Sequence, residues 1–473
     1  MAGLLLAFLC PAALAQSGFD DLPSLGEAAG SIYSPQQDQA LGAAFMRELR
    51  QSDLILDDVE TTAYLQNLGR RLAMHSENPG HGFTFFMVND DRINAFAGPA
   101  GHIGVNTGLF IAAESESELA AVLAHEIAHV TQRHLARAFE ATDKLSLPTT
   151  AAILAAILIG TQDGQAGAAA LTAASAASLQ QQINFTRANE QEADRVGIQT
   201  LAEASFDPHG MGHFFERLQK NSRLYGTQPP EFLSTHPVTT NRIAEAETRA
   251  AAYSDVAVED DLEFQLLRAR LRVNTYAEPS QVLADFQRYH GSSGGNSAPE
   301  RYEYALLLSA NDRNREAVKV LEQLHRADPD RISYRVALGK VLDRLQEFSK
   351  SQSTYRDTLE LYPGELTVIL PYASSLLASE QADQAYTLLS GASTRSDNPQ
   401  LYKLLAQAAG LTGHPVQTHT AMGQYYLLNG YTKKAIEQME LAERTEGLSD
   451  YQAAMIQARI ARLKELLKAE ELE

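Results

Sequence analysis

The stretch AVLAHEIAHVTQRH, Ala121 to His134, carries three histidines and a glutamate. Ser115 followed by Glu118 reads as a capping box, so a helix should begin near Ser115. Leu119, Val122, Leu123, Ile127 and Val130 would form its buried stripe. On such a helix His125 and His129 stand one turn apart, and both imidazoles leave the same side. Glu126 beside the first completes H-E-x-x-H. In that pattern two histidines hold zinc and the glutamate acts as general base on the water the metal acidifies. Two histidines set in an otherwise apolar helix are costly to bury without partners, which favours a built site over chance.

A catalytic zinc needs a third protein ligand. The metzincin continuation would put a glycine at Gln132 and a histidine at Leu135, so this chain does not follow it. His134 falls one residue out of that register and reads as a surface histidine. The other solution is a glutamate from a second helix. RANEQEADRVG, Arg187 to Gly197, offers Glu190 and Asp194 one turn apart. Glu190 can then reach the metal while Asp194 accepts the free N–H of a zinc histidine. Glu192 points elsewhere on that helix. His236 precedes Pro237, which biases it toward an extended conformation in a loop.

The elements that must position these residues fall into two blocks. Residues 20 to 255 read as one mixed α/β unit. FTFFMVN and INAFAGPAGHIGVN are apolar runs around Gly98-Pro99-Ala100-Gly101 and suggest a hairpin. A strand bordering a cleft can pair with peptide backbone without demanding a sequence. Leu147 to Ala177 is rich in small residues, with Asp163 its only charge. It fits a lid over the cleft, a segment lying on a membrane surface, or ordinary core helices, and the sequence does not choose.

Downstream of residue 296 the chain repeats. Ala305, Gly339 and Ala373 are spaced by 34, as are Ala317, Ser351 and Ala385, and Leu321, Tyr355 and Leu389. Pro329 and Pro363 close two units at the same interval. Small residues at helix crossings with bulky neighbours make the tetratricopeptide pattern. A further unit fits Gly423 and Ala435, with roughly one extra helix between, around Leu401 to Gly410. Ile456, Ile460, Leu463 and Leu467 would form a capping helix. Such a solenoid binds protein on its concave face and performs no chemistry.

The formal charge of −20 argues against nucleic acid as a partner, since phosphate binding needs a basic face. Residues 1–15 read as a secretory signal peptide, apolar from Gly3 to Ala15 and ending in a small-x-small pattern before Gln16, although no Lys or Arg precedes the run. Cys10, the one cysteine, lies inside it, so a metal site must use histidines and carboxylates. No later segment reaches the length of a membrane span. The expected organisation is a leader at 1–15, a metalloprotease domain at 16–255 and a repeat domain at 256–473.

HEIAH together with the downstream EQEAD resembles the HtpX-type zinc metalloproteases. INAFAGPAGHIGVNTGL (Ile93 to Leu109) and STHPVTTNR (Ser234 to Arg242) look like segments of the same family. With a leader and a C-terminal repeat domain, the chain is similar to periplasmic members that act on outer-membrane proteins. The resemblance implies an α+β fold: a mostly helical gluzincin domain with a small sheet, followed by an all-α tetratricopeptide solenoid. It implies one Zn2+ per chain on His125, His129 and Glu190, with Glu126 and Asp194 in the catalytic machinery. In the relatives, the loop histidine matching His236 can take the fourth zinc position. A fourth protein ligand displaces the water and closes a catalytic site, so a self-inhibited resting state is expected. Arg242 is expected in a salt bridge rather than at an oxyanion. The implied activity is a periplasmic endopeptidase that degrades misassembled outer-membrane β-barrels and helps others assemble. Its repeats would contact the barrel-assembly machinery, with peripheral contact at the outer membrane left open. A chaperone-like adaptor with its zinc site held shut is the alternative.

Overall fold

The computed structural model describes residues 34–139, 147–159, 187–225, 230–253, 261–291 and 295–472. The expected leader at 1–15 and residues 160–177 of the alanine-rich stretch lie outside them.

The motif helix spans Glu116–Thr131, with Ser115 accepting the Glu118 N–H as its N-cap. Only half of the expected capping box forms. The Glu118 carboxylate accepts from the Glu114 N–H at 2.7 Å and pairs with Arg217. Every residue from Ser117 to His129 is buried, so the helix is enclosed on all sides instead of showing one apolar stripe. Helices Val59–Met74, Arg187–Glu203 and Gly210–Tyr225 and two strands of the sheet surround it. Ala120, Ala121, Ala124 and Ala128 keep its girth small. Gly197 completes the close approach: a Cβ there would stand 3.2 Å from the His125 backbone nitrogen and 3.3 Å from the Ala124 carbonyl carbon. Helix Arg187–Glu203 therefore passes near the motif helix backbone, which lets a short carboxylate such as Asp194 reach His125.

Three strands complete this half: β1 (Thr84–Val88), β2 (Ala95–Ala97) and β3 (His102–Asn106), in spatial order β1-β3-β2. The second apolar run makes the hairpin by itself, β2 pairing antiparallel with β3 across a turn at Pro99–Gly101. Gly101 sits there at φ 75, where glycine is at no steric disadvantage. The first run joins as a parallel neighbour, Thr84 opposite His102. Of the alanine-rich stretch, helix Leu147–Ile159 buries Ala151, Ile153, Leu154 and Ala155 against Leu41, Ala44, Phe45 and Leu49 of helix Pro35–Gln51. That portion is core. Among the described residues no helix is long and apolar enough to cross a membrane.

The second half is a stack of helical pairs. First helices start at Ala298, Ile332 and Leu366 and second helices at Asn314, Phe348 and Ala382, each 34 residues apart. Ala305, Ala373, Ala317, Ser351, Ala385, Leu321, Tyr355 and Leu389 are all buried. At Gly339 a Cβ would come within 2.4 Å of the Tyr355 ring, so the small column is a steric requirement. A fourth pair, Pro399–Leu411 and Pro415–Leu428, begins 33 residues after the third. The helix around Leu401 to Gly410 is thus the first helix of a regular unit one residue short, not an intervening extra. Gly423 and Ala435 mark where its second helix meets Thr432–Glu443. Helix Asp450–Leu472 closes the stack through Ile456, Ile460 and Leu463.

The two halves share helix Leu262–Thr275. Phe264, Leu267 and Leu271 enter the core around the motif helix, while Leu266, Ala269 and Val273 enter that of the first repeats. Arg270 on the same helix is buried and forks onto Asp58 at 2.6 and 2.7 Å. Lys340 meets Glu60 at 2.6 Å, and Gln51 donates to the Gly430 carbonyl at 2.7 Å. The repeats thereby close around the chain's own N-terminal helices.

Candidate metal centre

The enclosed motif helix delivers His125, Glu126 and His129 to one buried point. Helix Arg187–Glu203 delivers Glu190 and Asp194. The segment after the short helix Glu231–Thr235 delivers His236. His125, His129, Glu190 and His236 each offer one ligand atom, all within 4.8 Å of one another. His125 Nε2 lies 3.0 Å from His129 Nε2, 3.4 Å from His236 Nδ1 and 3.5 Å from Glu190 Oε2. Glu190 Oε1 lies 3.4 Å from His129 Nε2 and 3.1 Å from His236 Nδ1. A tetrahedron with metal–ligand bonds of ~2.0–2.1 Å has edges of about 3.3 Å, close to these separations, which involve both oxygens of Glu190.

The donor set, three nitrogens and a carboxylate oxygen, suits a borderline divalent metal. Both carboxylate oxygens of Glu126 are buried, with the backbone of Ala97 on β2 beside them. His236 Nε2 lies 3.5 Å from Glu126 Oε1. Burial pushes the Glu126 carboxyl up, against the pull of His236 and His125. Burial would also raise Glu190, but His236 and His125 outweigh it and hold that carboxyl well below its usual range. Burial and then the His125 charge push His129 well below the ordinary imidazole range. Against burial, Asp194 and Glu190 raise His125 to about 9. A proton held on this imidazole is what a metal ion would displace.

Around this cluster lies a second layer. Asp194 Oδ1 stands 3.0 Å from His125 Nδ1, and its carboxylate accepts from Arg242 Nε at 2.7 Å and Nη2 at 2.8 Å. Arg242 Nη1 reaches Glu190 Oε2 at 2.8 Å and the Pro237 carbonyl at 2.9 Å. The guanidinium is thus spent on ion pairs. On the other side the sequence reading of His134 needs correction. His134 is fully buried, its Nδ1 lying 2.8 Å from His129 Nδ1 and its Nε2 3.0 Å from Glu192 Oε2. Arg133, at φ 55 just past the end of the motif helix, turns the chain so that His134 folds back beneath His129. No glycine or asparagine announces that turn, so the sequence offered no signal for it. Glu192 does point away from the four-residue cluster, but toward His134.

The His236 segment is also held from the hairpin side. The Phe232 N–H donates to the Ile93 carbonyl at 3.1 Å, and Glu231 pairs with Arg92 at 2.6 Å. The Phe232 ring lies 4.8 Å from that of His236. These holding contacts also escaped the sequence reading, because they join segments far apart in the chain.

A helix-borne H-E-x-x-H beside a glutamate of a second helix, flanked by a small sheet, defines a metallopeptidase domain. In agreement, residues 60–250 match the model for peptidase family M48. Over 94% of its length the chain is 35% identical to the beta-barrel assembly-enhancing protease of Escherichia coli strain K12, covering 92% of that protein. A Vibrio cholerae relative described in the same terms is 36% identical over 97% of this chain and 96% of its own. The mitochondrial metalloendopeptidase OMA1 of Arabidopsis thaliana is 31% identical over 39% of this chain and 35% of its own. The chain belongs to the beta-barrel assembly-enhancing protease family and is a metalloendopeptidase.

Proposed function

We propose that this chain is a periplasmic zinc endopeptidase that removes outer-membrane β-barrel proteins stalled in assembly, and that His236 holds it shut at rest. The observation that carries the reading is the gathering of one buried ligand atom each from His125, His129, Glu190 and His236 within 4.8 Å of one another. Zinc bound there would polarise the scissile carbonyl and acidify the attacking water. Glu126 takes the proton of that water at its carboxylate and passes it to the leaving amine. Its raised affinity for a proton, caused by burial, suits both halves of that transfer. Asp194 fixes His125 through Nδ1. The helix-wide burial of the motif excludes bulk water from the ligand side.

His236 in the fourth position leaves no room for the attacking water, so substrate or a partner must withdraw it. The names of the relatives support barrel proteins as the substrate class, and the expected leader supports export. The repeats would hold an assembling barrel or the assembly machinery close, raising its effective concentration at the cleft. The closed fourth position also favours a second reading, an adaptor whose proteolysis is incidental. The test is degradation of an unfolded outer-membrane barrel protein by zinc-loaded full-length chain beside Glu126→Gln. Cleavage lost only in the variant supports the peptidase. Equal inertness, with zinc bound in both, favours the adaptor.

A further inference from the structure

Resting on the metal-site reading above, we infer that His134 and Glu192 form a positioning relay for the metal, the counterpart on His129 of what Asp194 does for His125. His129 points in two directions at once. Its Nε2 faces the cluster, 3.0 Å from His125 Nε2 and 3.4 Å from Glu190, while its Nδ1 faces His134 Nδ1 at 2.8 Å. An imidazole that gives its Nε2 lone pair to a metal carries its proton on Nδ1. His134 Nδ1 must then be the acceptor, which places the His134 proton on Nε2. That nitrogen lies 3.0 Å from Glu192 Oε2, so the chain of donors ends on a carboxylate with every member satisfied. Arg137 Nη2 meets the same oxygen at 3.2 Å.

The backbone supports a purpose for this arrangement. Arg133 is held at φ 55, a left-handed conformation that a side chain with Cβ rarely adopts. Such conformations persist where the surroundings over-determine them. Here the turn is what carries His134 from the end of the motif helix to the far side of His129. The two histidines of the motif are therefore oriented by different means. His125 has a carboxylate directly on Nδ1, and His129 reaches one through an intervening imidazole. Removing His134 takes away the group that accepts the His129 Nδ1–H, and the ring would lose the hydrogen bond that fixes its tautomer.

The experiment is zinc affinity of the full-length chain, by competition with a chromophoric chelator, for wild type, His134→Leu, His134→Asn and Glu192→Gln. His129→Ala serves as the reference, and thermal melting of each protein is recorded without and with zinc. Asparagine can place its side-chain oxygen where His134 Nδ1 stands and keep the acceptor. We expect His134→Leu to weaken zinc about 10- to 100-fold, the usual loss when a partner of a metal-bound histidine is removed. His134→Asn should recover most of that loss, and Glu192→Gln should sit between His134→Asn and His134→Leu. The zinc-free melting point of His134→Leu should not fall below that of wild type, while its zinc-induced rise shrinks.

If His134→Leu binds zinc as tightly as wild type, or if His134→Asn falls as far as His134→Leu, the relay is wrong and His134 is a packing residue. If instead wild type takes up no zinc, or His129→Ala binds as well as wild type, the metal-site reading itself fails, and the relay with it.

Discussion

The repeat stack and the metal centre bury their residues in opposite ways. In the repeats, small and large apolar residues recur at one interval, and each contact involves neighbouring helices, as between Gly339 and Tyr355. Even the polar contacts of half-buried Asp343 there are local: it accepts from Ser375 at 2.6 Å and Tyr355 at 3.0 Å on neighbouring helices. The metal centre gathers charged and polar groups from separate segments: the motif helix, His134, Glu190 with Asp194, His236 and Arg242. Apolar contacts between distant units add independently, whereas groups in one polar network are coupled. Damage in the repeats should therefore appear as lost stability with the metal untouched. Damage at the centre should appear as lost chemistry or lost metal with the fold kept.

That contrast can be tested by substitutions ranked by expected effect. Glu126→Gln should lower turnover of an unfolded protein by about 10²- to 10⁴-fold, the usual range for a general base, with zinc content unchanged. Loss of zinc in that variant would mean that Glu126 holds the centre together rather than moving a proton. In the repeats, Leu321→Ala should cost about 2–5 kcal/mol in denaturant unfolding, as for other buried leucines, with zinc affinity within about twofold of wild type. A large drop in zinc affinity there would erase the distinction between the two regions. Asp194→Ala should weaken zinc about 10- to 100-fold in the same chelator competition.

Smaller effects are expected where the regions meet. Burial would raise the Asp58 carboxyl, but Arg270 outweighs it and holds that group well below the usual carboxylate range. A lowered folded value means the contribution is whole above the unfolded value near ~4 and is lost as the pH falls below it. Wild type should therefore lose stability more steeply than Asp58→Asn on acidification below about pH 4, followed by thermal melting. Smallest of all, Glu231→Gln removes the ion pair to Arg92 that helps hold the His236 segment. Hydrolysis should rise about two- to fivefold, the shift that a surface pair of ~0.5–1 kcal/mol gives.

How much of this was legible depended on the range of the interaction. His125, Glu126 and His129 could be read because one helical turn relates them, and Glu190 with Asp194 for the same reason. The three 34-residue units were legible because the interval is rigid. The fourth was misread because one missing residue moved its columns out of register. His134 was read as exposed because the only destination considered for it was the metal, while its actual place depends on the left-handed turn at Arg133. The contacts of Glu231 and Phe232 with Arg92 and Ile93, which hold the His236 segment, join segments over a hundred residues apart, and no local pattern encodes them.

The central claim is that one buried centre performs hydrolysis and that His236 keeps its fourth position closed. Its most direct test is the rate at which zinc-loaded His236→Ala degrades an unfolded model protein, measured beside wild type. A faster rate than wild type is expected at equal zinc content, abolished again when Glu126→Gln is added. A rate equal to or below that of wild type, with zinc still bound, would contradict it.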